Sequence, residues 1–288
     1  MTAPWTIGRV LTWAARDFAT REVESPRFEA ELLLASALGL RRIDLYLRHE
    51  QPLNDAELQQ FRGFVERRRR HEPVAYILGL RAFYNRDFLV DARVLVPRPE
   101  TEGVVDAALE ALAKESEAPA RVLDLCTGSG CIAVTLAAER PRSTVWAVDL
   151  SPGALAVASE NAAKHGVSSR VVLCEGDLFG PLDPGLRFDV IVSNPPYIPH
   201  AVMAELMPDV RDHEPHLALD GGGDGLDLVR RVVAEAPGWL SPGGRLVVEF
   251  HYDQGPAVKA LAESAGFASV KIVRDFGGHD RLVVATLG

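Results

Sequence analysis

The sequence predicts an α/β protein: a mostly parallel, doubly wound sheet of seven strands with an antiparallel last strand, preceded by a small all-α domain. Three observations carry this. From Arg121 onward, apolar β-branched runs at 121–125, 144–148, 170–174, 188–193 and 244–250 alternate with helical patterns at 130–140, 151–166, 225–239 and 254–266. At the end, 269–273 and 281–286 are strand-like runs joined only by Asp275-Phe276-Gly277-Gly278-His279-Asp280, too short for a parallel crossover, so the last strand should run against the others. Before residue 80, helix punctuation prevails and strand signals are few.

In that first segment Ser25-Pro26 reads as a cap followed by a first-turn proline ahead of FEAELLLASAL, and Gly39 suits the helix stop. Asn54 or Asp55 opens a second helix that runs through Glu57, Leu58, Phe61 and Val65 to the run Arg67-Arg68-Arg69-Arg70, with Pro73 beyond it. Those arginines read either as a solvated helix end, where cations suit the dipole, or as a partner-binding patch. Next, FYNRDFLVDARVLV at 83–96 alternates apolar and polar residues around turn formers. The expected organisation is a helical domain at 1–80, a β-hairpin linker at 81–98 and the α/β domain at 99–288.

Composition narrows the function. With 288 residues, 47% hydrophobic and 25% charged, the chain is an ordinary globular protein. A net charge of −9 argues against a protein that mainly grips nucleic-acid phosphates. Cys126, Cys131 and Cys174 lack neighbouring Cys or His at zinc-ligand spacing and read as reduced thiols, with no metal expected. No apolar run approaches the roughly 20 residues of a membrane span, and the amino terminus has no leader pattern, so a cytoplasmic protein is expected.

The segment VLDLCTGSGCIA at 122–133 reads as a strand, a loop with Gly128 and Gly130, and a helix start. Glycines there let the backbone approach a ligand, and a helix amino terminus presents N–H groups. Taken alone it also satisfies a dinucleotide fingerprint, with Asp149 placed for a ribose, as in a nicotinamide enzyme. Two acids favour another nucleoside. Asp124 is expected where a pyrophosphate would approach, repelling it and attracting an ammonium group, while Asp177 after the third strand can accept from an adenine amine. Acids after successive strands suit a nucleoside with an amino-acid tail and no phosphates, which is S-adenosylmethionine. Further on, FDVIVSNPPYI at 188–198 ends a buried strand in Asn194-Pro195-Pro196-Tyr197, where open α/β sheets bind ligands. The prolines stiffen the turn, Asn194 adds an acceptor and Tyr197 a flat face, a set suited to a planar –NH2 group.

These residues resemble the class I S-adenosylmethionine-dependent methyltransferases, of Rossmann-like fold, and within them the protein-(glutamine-N5) methyltransferases of peptide-chain release factors, the PrmC/HemK family. The resemblance runs through HEPVAYILG at 71–79, LVPRPETE at 95–102, DLCTGSG, AVDLS at 147–151, SNPPYI, EPHLALDGGGDGLD at 214–227 and DFGGHDR at 275–281. It implies cofactor contacts at Cys126, Thr127, Gly128, Ser129 and Gly130, at Asp149 on the ribose, at Asp177 and Leu178 around the adenine, and at Asn194. It implies substrate-amide contacts at Asn194, Pro195, Pro196 and Tyr197. The implied cofactor is S-adenosylmethionine, leaving as S-adenosylhomocysteine. The implied partner is a release factor whose Gly-Gly-Gln loop carries the glutamine, met by a monomer without membrane or direct nucleic-acid contact. Three positions depart from the pattern: Cys126, where many relatives have glycine, so that a positive φ there would put the loop geometry in question; His279 in place of a common asparagine; and Leu178, where some relatives have an aromatic residue.

The chemistry expected is attack of a glutamine amide nitrogen on a sulfonium methyl. Asn194 and the Pro195 carbonyl would accept from both N–H bonds and aim the lone pair, with no strong base needed before transfer. A DNA or RNA amino-methyltransferase would use the same four residues on a flipped base. It would need a basic surface that the acidic balance does not supply. A non-catalytic scaffold is less consistent with an intact NPPY and both cofactor acids. Residues 197–227, with three prolines and Gly221-Gly222-Gly223, exceed a plain connection and are expected to form a flap over the substrate peptide. The first 80 residues are expected to dock the protein substrate.

Overall fold

The structure, a computed structural model, describes residues 4–112 and 119–288. The chain divides into two compact units, one of residues 1–79 with 207–213 and one of 80–206 with 214–288.

The first unit contains α1 (Ile7–Ala19), α2 (Pro26–Leu38), α3 (Arg42–Leu47), α4 (Asp55–Arg68), α5 (Val74–Leu78) and, from the later segment, α9 (Pro208–Arg211). Asn54 and Glu57 cap α4 reciprocally: each side chain accepts from the other's backbone N–H at 2.9 Å. Gly39 ends α2 in the left-handed conformation, φ 61°. Ser25 precedes α2, but its hydroxyl makes no capping bond and Pro26 sets the first turn. The apolar faces of Ile7, Leu11, Phe18, Leu33, Leu34 and Leu45 close the core.

The arginine run is engaged within its own unit at three of its four positions. Arg67 donates to Glu72 at 2.5 Å and to the carbonyls of Tyr76 and Ile77, each at 3.1 Å. Arg68, only 2% exposed, lies between Glu29 at 2.5 Å and Asp209 at 2.7 Å. Arg69 pairs with Asp17 at 2.7 Å and covers the Trp13 ring. Only Arg70 is exposed in this run. Three of the four arginines are thus tied into ion pairs, with Arg68 buried among them, and two of the acids, Asp17 and Asp209, come from distant parts of the sequence.

The second unit opens with an antiparallel hairpin, β1 (Leu80–Phe83) and β2 (Arg86–Leu89), turned by Tyr84 and Asn85 at φ 48° and 58°. It is shorter and earlier than the 83–96 alternation suggested. The buried Asn161 of α8 (Pro152–Lys164) closes its end, its Oδ1 accepting from Leu89 N at 2.7 Å and its Nδ2 donating to Leu89 O at 3.0 Å. Beyond that, 90–98 carries Val90, Val94 and Val96 into the core without strand pairing.

The main sheet contains β3 (Arg121–Leu125), β4 (Thr144–Asp149), β5 (Val171–Glu175), β6 (Phe188–Ser193), β7 (Leu240–Glu249), β8 (Ser269–Arg274) and β9 (Asp280–Thr286). Their order is β5-β4-β3-β6-β7-β9-β8, and β9 lies antiparallel between β7 and β8. Side chains alternate across the sheet. Val122, Val190, Val192 and Val247 pack with α6 (Glu102–Ala111) and α7 (Cys131–Glu139) on one face. Leu123, Ile191, Leu246 and Val248 pack with α10 (Asp227–Glu235) and α11 (Gly255–Ser264) on the other. Helix α6 is an element that the sequence patterns named above do not include. The expected helix to residue 239 ends at Glu235, followed by a 3-10 turn around Pro237, and β7 begins four residues early, at Leu240. The parallel strands β3 and β6 are the point where strand order switches sides, β4 and β5 lying beyond β3 and β7 beyond β6, which opens a crevice at their carboxyl ends.

Candidate active site

The crevice is a cleft of about 140 Å³. Of the residues singled out in the sequence, Cys126, Thr127, Gly128, Ser129, Asp149, Asp177, Leu178, Asn194 and Pro196 line it. Gly130, Pro195 and Tyr197 are outside the lining. Gly130, at φ 76°, starts α7 so close to α8 that an added Cβ would sit 3.0 Å from the Ala158 Cβ. Its glycine serves helix packing.

The loop after β3 runs through left-handed backbone at Cys126, φ 62°, and Gly128, φ 55°. The departure at Cys126 thus falls on a position that does adopt positive φ, and the cysteine bears the steric cost that a glycine would avoid. Burial, with Asp149 nearby, pushes its thiol up to about 12 and leaves it protonated. Asp124 lies beneath this loop, 0% exposed, and does not line the cleft. Its Oδ2 accepts from Thr127 Oγ1 at 2.6 Å and from Ala133 N at 3.2 Å. Burial pushes the carboxyl up to about 7, opposed by the Thr127 bond, and Oδ1 has no partner among the described residues. The expectation that Asp124 attracts a ligand's ammonium group is therefore overturned: the acid braces the loop and the first turn of α7 from within.

Asp149, at the end of β4, accepts from Gly128 N at 2.8 Å and from Ser151 N at 2.9 Å. Burial raises its carboxyl above the ordinary range, and these backbone bonds pull it back. Each oxygen keeps a second lone pair for a hydroxyl donor. Asp177 forms an exposed double contact with Arg231, at 2.9 and 3.1 Å. Arg231 stands 54 residues away in sequence and was not anticipated. Leu178, buried at φ 49°, forms cleft wall beside it.

At the end of β6, Asn194 donates from Nδ2 to Thr101 Oγ1 at 3.0 Å, which leaves Oδ1 as its acceptor. The next residues are clamped from two sides. Gln254 Nε2 donates to the Tyr197 carbonyl at 3.1 Å. Gly221 lies so close that an added Cβ would meet the Pro196 carbonyl at 2.8 Å. The glycine-rich stretch after Asp220 is thus a backbone brace for NPPY, joined to it by the Ile198–Asp220 bridge. The 197–227 segment does not form one continuous flap, since 207–213 belongs to the first unit. Glu214, 4% exposed, fixes the return of the chain by accepting from Arg98 at 2.6 Å and from Val96 N at 3.2 Å. Thr101, Arg98 and Glu214 escaped attention as site residues; their signal was the Pro-bounded motif LVPRPETE and the EPHLALD that pairs with it. Among the described residues no helix is long and apolar enough to cross a membrane.

Comparison with known proteins gives this site its relatives. Residues 9–79 match the PrmC N-terminal domain and residues 101–209 the methyltransferase small domain. A release factor glutamine methyltransferase of Geobacter sulfurreducens is 47% identical over 99% of this chain and 98% of its own. One from Moorella thermoacetica is 45% identical over 97% and 98%. A methyltransferase structure from Pyrococcus furiosus, 20% identical, aligns over 72% of this chain and 91% of its own with a TM-score of 0.53, which supports the fold alone. By identity across nearly its whole length, the chain belongs to the release factor glutamine methyltransferase family and is a methyltransferase enzyme of class I fold.

Proposed function

We propose that the protein transfers the methyl group of S-adenosylmethionine to the side-chain amide nitrogen, N5, of the glutamine in the Gly-Gly-Gln loop of a peptide-chain release factor, in the cytoplasm. The observation that carries this is the Asn194–Thr101 bond, which commits the Asn194 –NH2 inward and leaves a carbonyl to accept from a substrate N–H.

The residues present fit the cofactor. Asp149 offers an ionisable acceptor pair to a ribose diol, the Cys126 to Ser129 loop brings backbone to the cleft wall, and Leu178 with Asp177 flanks the place for a base. When bound, the cofactor supplies an electrophilic methyl on a positive sulfur. The chain's task is to orient the weak nucleophile. Asn194 Oδ1 and the Pro195 carbonyl accept from the two amide N–H bonds, which turns the lone pair toward the methyl and favours charge developing on nitrogen. Tyr197 supports the amide plane, and residues 1–79 recognise the folded partner. The methylated amide loses its proton readily afterwards, so no general base is assigned.

The test is mass spectrometry of a release factor incubated with enzyme and S-adenosylmethionine. A glutamine heavier by one methyl in the Gly-Gly-Gln peptide is expected, and that product must vanish when the glutamine is replaced. Transfer to nucleic acid instead would overturn the assignment.

A further inference from the structure

Glu249 ends β7 beside the end of β6. Ser193 pairs with Val248, so Glu249 follows on one strand as Asn194 follows on the other. The carboxyl is buried, and its Oε2 has no hydrogen-bond partner among the described residues. A buried polar atom left this way is costly and calls for a reason. Around it stand the Thr101 and Tyr197 hydroxyls, the Arg281 guanidinium from β9 and Glu100 from the 3-10 turn Pro99–Thr101. Arg98 and Arg281 also act on Tyr197, and Cys131 of α7 lies within reach of the Glu249 charge. Burial pushes the Glu249 carboxyl up to about 7, with the Thr101 hydroxyl and then the Arg281 charge opposing it.

We propose that Glu249 is a positioning residue for methyl transfer, which through Thr101 decides whether Asn194 shows the substrate its carbonyl or its –NH2. This rests on the glutamine reading above. Thr101 Oγ1 already accepts from Asn194 Nδ2, so its own hydrogen must go to a different acceptor. An ionised Glu249 is acceptor-only and takes that hydrogen, leaving Asn194 Oδ1 for a substrate N–H. A protonated Glu249 donates to Thr101 instead. The Thr101 hydrogen then turns to Asn194 Oδ1, the amide rotates, and the group now facing the substrate cannot accept. Turnover should therefore climb as pH rises through about 7.

The experiment measures kcat on a release factor from roughly pH 5.5 to 8.5 for wild type, Glu249→Gln, Glu249→Asp and Thr101→Val, with cofactor Kd by calorimetry for each. A glutamine can donate or accept, so Glu249→Gln should lose the pH limb and about 10-fold in kcat. Thr101→Val, which breaks the relay while keeping the volume, should lose the limb and up to about 10²-fold. Glu249→Asp restores a limb, and cofactor Kd stays within about 2-fold throughout. A wild-type limb retained in Glu249→Gln or Thr101→Val would overturn the assignment and leave the functional reading standing. A wild-type enzyme that leaves the release factor unmodified would overturn both.

Discussion

The backbone N–H of Gly128 donates to Asp149 Oδ2 at 2.8 Å and so fastens the loop after β3 to the end of β4. Asp149 thereby shapes one wall of the cleft while offering its remaining lone pairs to a ligand. Asp149→Ala should weaken S-adenosylmethionine binding by on the order of 1.5–3 kcal/mol, as expected when hydrogen bonds to a charged group are lost. Asp149→Asn should lose less, because one acceptor survives. Calorimetry that returns one Kd for all three proteins would remove Asp149 from the cofactor site.

Tyr197 stands outside the cleft lining, with its ring 6.2 Å from that of His251 and its carbonyl held by Gln254. Tyr197→Ala should therefore leave cofactor Kd within about 3-fold and lower kcat/KM for the protein substrate by roughly 10²-fold. Loss of cofactor binding in a folded variant would reverse this division of labour.

Arg68 neutralises Glu29 and Asp209 from a position that is 2% exposed. Arg68→Ala removes the guanidinium from both carboxylates, leaving Asp209 only His71, and should cost about 2–3 kcal/mol in urea unfolding. Arg68→Ala combined with Glu29→Gln and Asp209→Asn should recover much of that loss. A single variant as stable as wild type would show that the network carries no net weight.

Asp124 gives a pH dependence whose sign is fixed. Its folded carboxyl is raised to about 7 from an ordinary 3.8, so the folded state holds the proton more tightly. The associated stability is full below the unfolded value and is lost as pH rises through about 7. Asp124→Asn keeps an acceptor for Thr127 and cannot ionise. It should flatten the fall in denaturation midpoint between these pH values and be the more stable protein above them. Unchanged slopes in the variant would mean that Asp124 ionises freely when folded.

Local signals made the sheet and the core of the site legible. The strand, glycine loop and helix at 121–139, and the β-branched run ending in NPPY, each declare themselves within a dozen residues. The antiparallel placement of β9 followed from one short connection. What stayed hidden is held by distant partners. Thr101 meets Asn194 across 93 residues, Glu214 meets Arg98 across 116, and Arg68 meets Asp209 across 141. Asp124 misled because sequence places an acid after a strand but does not say which side of the loop it faces. The alternation at 83–96 misled because burial without pairing leaves the same apolar periodicity as a strand.

Residues 207–213 lie within the compact unit built by the first 79 residues, and this bears on the order in which the protein is made. During synthesis the helical unit emerges first, yet Arg68 meets Asp209 only after the intervening chain has left the ribosome. Until then its guanidinium has Glu29 but lacks its second acid. The unit that is translated first is thus completed late. A gene cut at residue 80 would also leave the first piece incomplete, since Asp209, the second acid of Arg68, would be on the other fragment.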